Sequence, residues 1–135
     1  MNKNPRKNEW YSDPKDTVTA GWGLCLSALD LAKIGELVLN NGKYGEKQIV
    51  SGRFITEMTV PFMKLGEMFG YMGYGYLWYK PYEDRQVFAA IGDGGNVIYV
   101  NREKNVSVGV TGTFKPRIFD RVDFIEKKVL PLVDG

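Results

Sequence analysis

Residues able to do chemistry are few in this chain, and their absence is informative. There is no histidine among the 135 residues, which removes Ser-His-Asp and Cys-His catalysis together with the commonest metal ligand. The one cysteine, Cys25, has no partner for an internal disulfide. It stands in GLCLSAL, where a thiol reads as a small apolar side chain rather than a nucleophile. Asp13 and Asp16 in SDPKD lack the further ligands and the glycine of a calcium loop. The sequence therefore implies no metal and no cofactor. What it offers instead is backbone. From Phe88 to Val100 the run FAAIGDGGNVIYV sets Gly92-Asp93-Gly94-Gly95-Asn96 between two apolar stretches, which predicts two strands and a tight turn. Glycines at these positions admit positive φ and let another backbone or a ligand come close. The same pattern serves any hairpin, and on the residues alone both meanings stay open.

The remaining chain has to hold that turn. With 44% hydrophobic residues it is sized for about one domain with a real core. The net charge of +2 and the lack of a basic face give nothing for nucleic acid to bind. No apolar run is long enough to span a membrane, and MNKNPRKNEW does not read as a signal peptide. Residues 1–19 are polar, contain Pro5 and Pro14 and show no apolar period, so they read as an extended or loose lead-in, with Trp10, Tyr11 and Trp22 available to pin it.

From there the elements follow in order. Ser27 and Asp30 are spaced as a capping box, Leu31, Ile34, Leu37 and Val38 recur at helical spacing, and Asn40-Asn41-Gly42 stops the helix. A Gly-rich turn leads to a second helix starting at Ser51 and ending before Pro61. MKLGEMFGYM, residues 63–72, has no period and is expected to be irregular. Tyr74 to Tyr79 reads as an aromatic strand, followed by the two strands around the Gly-rich turn. In the strand from Val106 to Thr113, Val106, Val108 and Val110 alternate with Ser107, Gly109 and Thr111. One face is apolar and the other small, which suits a closely packed helix. Ile118, Val122, Ile125 and Val129 make one stripe of a final helix. The expected fold class is α+β, an antiparallel sheet of about three to four strands packed with preceding helices and a C-terminal helix.

GWGLCLSALDLAKIGELVLNNGKYGEKQIVS resembles the G-G-L-x-S/T-A-x-D-L-A-K-x-G-x-L-x-L-N-x-G segment of the serine β-lactamase-like hydrolases. That family includes class C β-lactamases, penicillin-binding peptidases, esterases and amide-oligomer hydrolases. YGYLWY, FAAIGDGGNVIYV and VSVGVTGT are similar, in the same order, to that family's Y-G-Y-x-W, A-x-G-x-G-G-Q-x-I-x-V and closing strand. The resemblance runs from Trp10 onwards and implies a partial β-lactamase/transpeptidase-like fold, with residues 20–135 its C-terminal part.

The resemblance also implies what the chain lacks. The family's Ser-x-x-Lys nucleophile motif and its Tyr-x-Asn second motif belong before the matched region. Ser12-Asp-Pro-Lys15 and Tyr99-Val-Asn101 spell these motifs at the wrong places and read as coincidence. The matched third element is the strand beside the substrate, where Ala90, Ile91, Gly92, Asp93 and Gly94 are the implied substrate-binding residues and the N–H of Asp93 the implied oxyanion-hole donor. Ala90 stands where many relatives carry a lysine, which points away from β-lactams and towards esters, amides or peptides. The chain alone is then expected to have no catalytic residue and to be inactive. Its implied partner is the missing N-terminal part of the same domain, and an uncovered sheet edge or helix face is expected to favour homo-oligomers. A second class of function is a non-enzymatic binding or interaction module that kept the sheet and lost the nucleophile.

Overall fold

The computed structural model describes residues 10–19, 22–92, 94–112 and 120–133. Residues 10–19 and 22–24 are tied by backbone bridges Trp10↔Leu24 and Ser12↔Val18, by the Trp10 indole donating to the Thr19 carbonyl at 2.8 Å and by Tyr11 stacked on Trp22. Helix α1 spans Ala28–Leu39. The capping box forms as its sequence implies: Ser27 Oγ accepts from the Asp30 N–H, and the Asp30 carboxylate accepts from the Ser27 N–H, an arrangement worth about 1 kcal/mol. At the far end the Gly42 N–H donates to the Leu37 carbonyl, closing the helix. A hairpin, β1 (Lys43–Tyr44) and β2 (Lys47–Gln48), leads to α2 (Gly52–Thr59), capped by Ser51.

Six strands then form one antiparallel meander: β3 (Met63–Lys64), β4 (Gly73–Tyr74), β5 (Tyr79–Lys80), β6 (Val87–Ile91), β7 (Val97–Asn101) and β8 (Val106–Val110), each paired with the next. The α+β class stands, with more strands than the three to four expected, because two segments fold differently from their local signals. Residues 63–72 are not simply irregular: β3 pairs with β4 across a short 3-10 turn, Glu67–Phe69. The aromatic run Tyr74 to Tyr79 is two strands and a turn. Gly75 is wedged against α2, where a Cβ would lie 2.3 Å from the Met58 carbonyl oxygen, and its N–H donates to the Trp78 carbonyl at 2.8 Å. A contact made by tertiary packing breaks a segment whose propensity alone reads as one strand.

The period-two alternation of β6 and β7 supplies two cores. On one face Phe88 and Val100 pack with Val38, Ile55 and Trp78 under α1 and α2. On the other, Val87, Ala89, Val97 and Tyr99 meet Val122, Ile125 and Leu130. These last come from α3 (Asp120–Phe124), a single π turn (Ile125–Val129) and a 3-10 turn (Leu130–Leu132). The expected start of the final helix at Ile118 lies outside the described residues.

The small face of β8 receives α1 as its composition implies. A Cβ on Gly109 would stand 2.1 Å from the Ala28 carbonyl oxygen and 2.6 Å from the Ala32 nitrogen, so only glycine lets the helix come this close. The Ser107 hydroxyl donates to the Ala32 carbonyl at 2.9 Å. Arg102, in the β7–β8 turn, donates to the Val38 carbonyl and to Asn41 Oδ1 at the end of α1, where a cation complements the helix dipole.

Candidate functional site

The N–H of Gly92 donates to the Asn96 carbonyl at 2.9 Å. Backbone groups alternate sides along an antiparallel strand, so Ala90 also faces β7 while Ala89 and Ile91 face the other way, towards β5. There β5 pairs with β6 at one position only, Tyr79↔Ala89. Continuing that register by two residues would set Leu77 opposite Ile91. Leu77 instead turns off the ladder, with φ 62°, and the end of β6 is left as an open edge.

Over this edge lies a groove of about 290 Å³ lined by Leu31, Tyr74, Leu77, Ala90, Ile91, Gly92, Asn96, Val97 and Ile98. It runs into a trough of about 700 Å³ along the start of α1, with Leu31, Asn96 and Ile98 shared and Cys25, Ser27, Ile34 and Thr111 among its further walls. Among the described residues, no charged side chain lines either cavity. Asn96 fixes the shared rim: its Oδ1 accepts from the Gly112 N–H at 3.2 Å. Below it the β6–β7 turn is closed by the Gly95 N–H donating to the Gly92 carbonyl at 2.8 Å.

Of the residues singled out from the sequence, Ala90, Ile91 and Gly92 line the groove, and Gly94 sits in the turn beneath it. Asp93 lies outside the described residues. Cys25 is half-buried in the trough wall, 3.9 Å from the Gly23 carbonyl oxygen. Leu31, Tyr74, Leu77 and Asn96 carry no local signal as groove residues. They meet there only because α1, the β4–β5 turn and the β6–β7 turn converge.

The two motif look-alikes are placed elsewhere. Ser12 and Lys15 occupy a turn, with Asp13 Oδ1 accepting from the N–H groups of Lys15 and Thr17. A helical turn, which would bring serine and lysine side chains to one face, is not formed. Tyr99 and Asn101 are fully buried on the opposite side of the sheet from the groove. The Tyr99 hydroxyl donates to Glu126 Oε1 at 2.5 Å and accepts from Asn101 Nδ2 at 3.2 Å. Arg85 grips the same carboxylate at 3.1 and 3.2 Å. Burial first, then the Glu126 hydrogen bond, raise the Tyr99 hydroxyl well above its ordinary pKa, the reverse of what a base would need. Ser27 Oγ is committed to Asp30 Oδ2 at 2.5 Å in the cap.

Among the described residues, the site can therefore supply an uncharged wall and an open strand edge, and it holds no activated nucleophile. No group of three or more metal-ligating side chains occurs among them, and no helix there is long and apolar enough to cross a membrane.

No protein-family model and no curated protein matches the chain. Among solved structures, it is similar to "Putative 6-aminohexanoate-dimer hydrolase from Bacillus anthracis", with a TM-score of 0.70 and 23% sequence identity. The match covers 91% of this chain and 34% of that one, so the chain spans about a third of the length of that structure. At this identity the likeness is one of fold: the described residues form an α+β unit consistent with part of a β-lactamase-like fold.

Proposed function

We propose that this chain is the substrate-side, C-terminal part of a serine acyl hydrolase related to β-lactamases and acting on an ester, amide or peptide. It contributes the edge of β6 and the groove above it, with the N–H of Asp93 as oxyanion donor, and depends on a partner segment for the Ser-x-x-Lys nucleophile. The observation that carries this reading is the open edge at Ile91, facing a groove whose described lining residues carry no charge. A preorganised backbone donor at such an edge is worth about 2.7–4 kcal/mol to an acyl-transfer transition state. An Ala90 groove without a cation favours neutral acyl groups over a β-lactam carboxylate.

Treatment of the purified chain with a fluorophosphonate, followed by intact mass spectrometry, tests the claim that it is incomplete. No adduct is expected. One stoichiometric adduct at a single serine, Ser12 above all, overturns it and makes the chain a complete small enzyme. The coding DNA upstream decides the rest: an in-frame Ser-x-x-Lys on an apolar helix supports the hydrolase, and a stop codon followed by a ribosome-binding site favours a non-enzymatic module.

A further inference from the structure

Leucine is out of place at position 77. The turn Gly75-Tyr76-Leu77-Trp78 is closed by the Gly75 N–H to the Trp78 carbonyl and anchored by the Tyr76 N–H to the Met58 carbonyl at 3.0 Å. Its third residue adopts φ 62°, a conformation that turns reserve for glycine or asparagine. A branched apolar side chain there strains the backbone, and burial gives nothing back, since Leu77 is 71% exposed. Neither the turn nor the core explains the residue. Its position does: it stands at the mouth of the groove, beside the strand edge that its own departure from the ladder leaves open.

We propose that Leu77 is a specificity-determining residue that holds the uncharged, apolar chain of a ligand against Tyr74, Leu31, Ala90 and Ile98. Strained residues gather where function over-determines them. The occupant follows from the described lining residues, which offer aliphatic and aromatic carbon and the Asn96 amide. A volume of about 290 Å³ suits a short alkyl or acyl chain, not a folded partner. The turn is held from behind by Gly75 on Met58 and by the buried Trp78, so Leu77 is presented on a fixed support. This inference rests on the reading of the groove as the acyl site and names the class of acyl group it takes.

The test uses the 135-residue chain, isotope-labelled, titrated with acetamide and with hexanamide while the backbone amides of Ala90, Ile91 and Gly92 are followed by NMR. Hexanamide should bind at least about tenfold more tightly than acetamide, and Leu77→Gly should weaken it by roughly tenfold, as expected for losing about two buried methylene equivalents. Acetamide binding should hardly change. The melting temperature of Leu77→Gly should hold or rise, because glycine accepts this φ without strain. Leu77→Asn, which also tolerates the turn, should behave in the same way. Equal hexanamide affinity in wild type and both variants overturns the proposal, as does no preference for the longer amide. So does weakened binding that comes only with a lower melting temperature, which would make Leu77 a structural residue. The hydrolase reading fails separately: a stop codon upstream refutes it while leaving a Leu77-dependent apolar site intact.

Discussion

Where the C-terminal helix crosses the sheet, Val87, Val97, Tyr99 and Ile125 are almost wholly withdrawn from solvent, and the polar groups among them are matched to one another. On the opposite face α1 is seated closely over β8, yet at the end of β6 the packing stops and Leu77 stays exposed. The first face closes through a network joining distant parts of the chain, with Tyr99, Asn101 and Arg85 all turned on Glu126 or its neighbours. The second opens through a single residue that leaves the ladder. Both faces bury a core beside β6 and β7, and only the end of β6 on the second face is left open.

The largest test of that contrast is on α1. Gly109→Val drives a side chain into the helix backbone and should cost about 3 kcal/mol, read as a lower urea midpoint. If the protein tolerates it, α1 is not held by close approach and the open face is looser than its geometry implies. Next is Glu126→Ala, which leaves the Tyr99 hydroxyl and the Arg85 guanidinium without their shared acceptor and should cost about 2 kcal/mol. Its hexanamide affinity should not move, and a loss would show the faces to be coupled.

The smallest effect is in alkali. The folded state holds the Tyr99 proton above the ordinary value of 10.0. The unfolded chain releases it there, so this contribution to stability is complete below pH 10 and declines as pH rises towards the folded value. Tyr82, also raised, mainly by burial, acts in the same direction. Unfolding free energies from urea titrations between pH 9 and pH 11 should fall, with a slope approaching about 1.4 kcal/mol per pH unit for the Tyr99 proton. Tyr99→Phe should flatten the slope without touching the groove. An unchanged slope in that variant would mean that the hydroxyl does not report on the closed face.

What the sequence made legible is what neighbours of two to four residues determine. The capping box at Ser27 and Asp30, the stop at Gly42, the helix between Ser51 and Pro61 and the small face of β8 all declare themselves locally, and all form. The aromatic segment misled because Gly75 answers to Met58 on another element, a packing event that overrides strand propensity. The same holds for the site. Ala90, Ile91 and Gly92 were visible as a Gly-rich strand end, whereas Leu31, Tyr74 and Leu77 become groove residues only when three segments converge. Tyr99 and Asn101 spelled a motif, and only their burial beside Glu126, 27 residues from Tyr99, reveals a structural pair.

The order of the meander has a kinetic consequence. Each of its six strands pairs with the next in sequence, so every hairpin closes a short loop at little entropic cost. Seating α1 on β8 is different, since the Ser107 to Ala32 bond alone spans 75 residues. The sheet should therefore assemble early and the helix dock late. Much of the α1 side of the groove, including Leu31, is then completed by the last and slowest event in folding, and the open edge of β6 exists before the helix that roofs it.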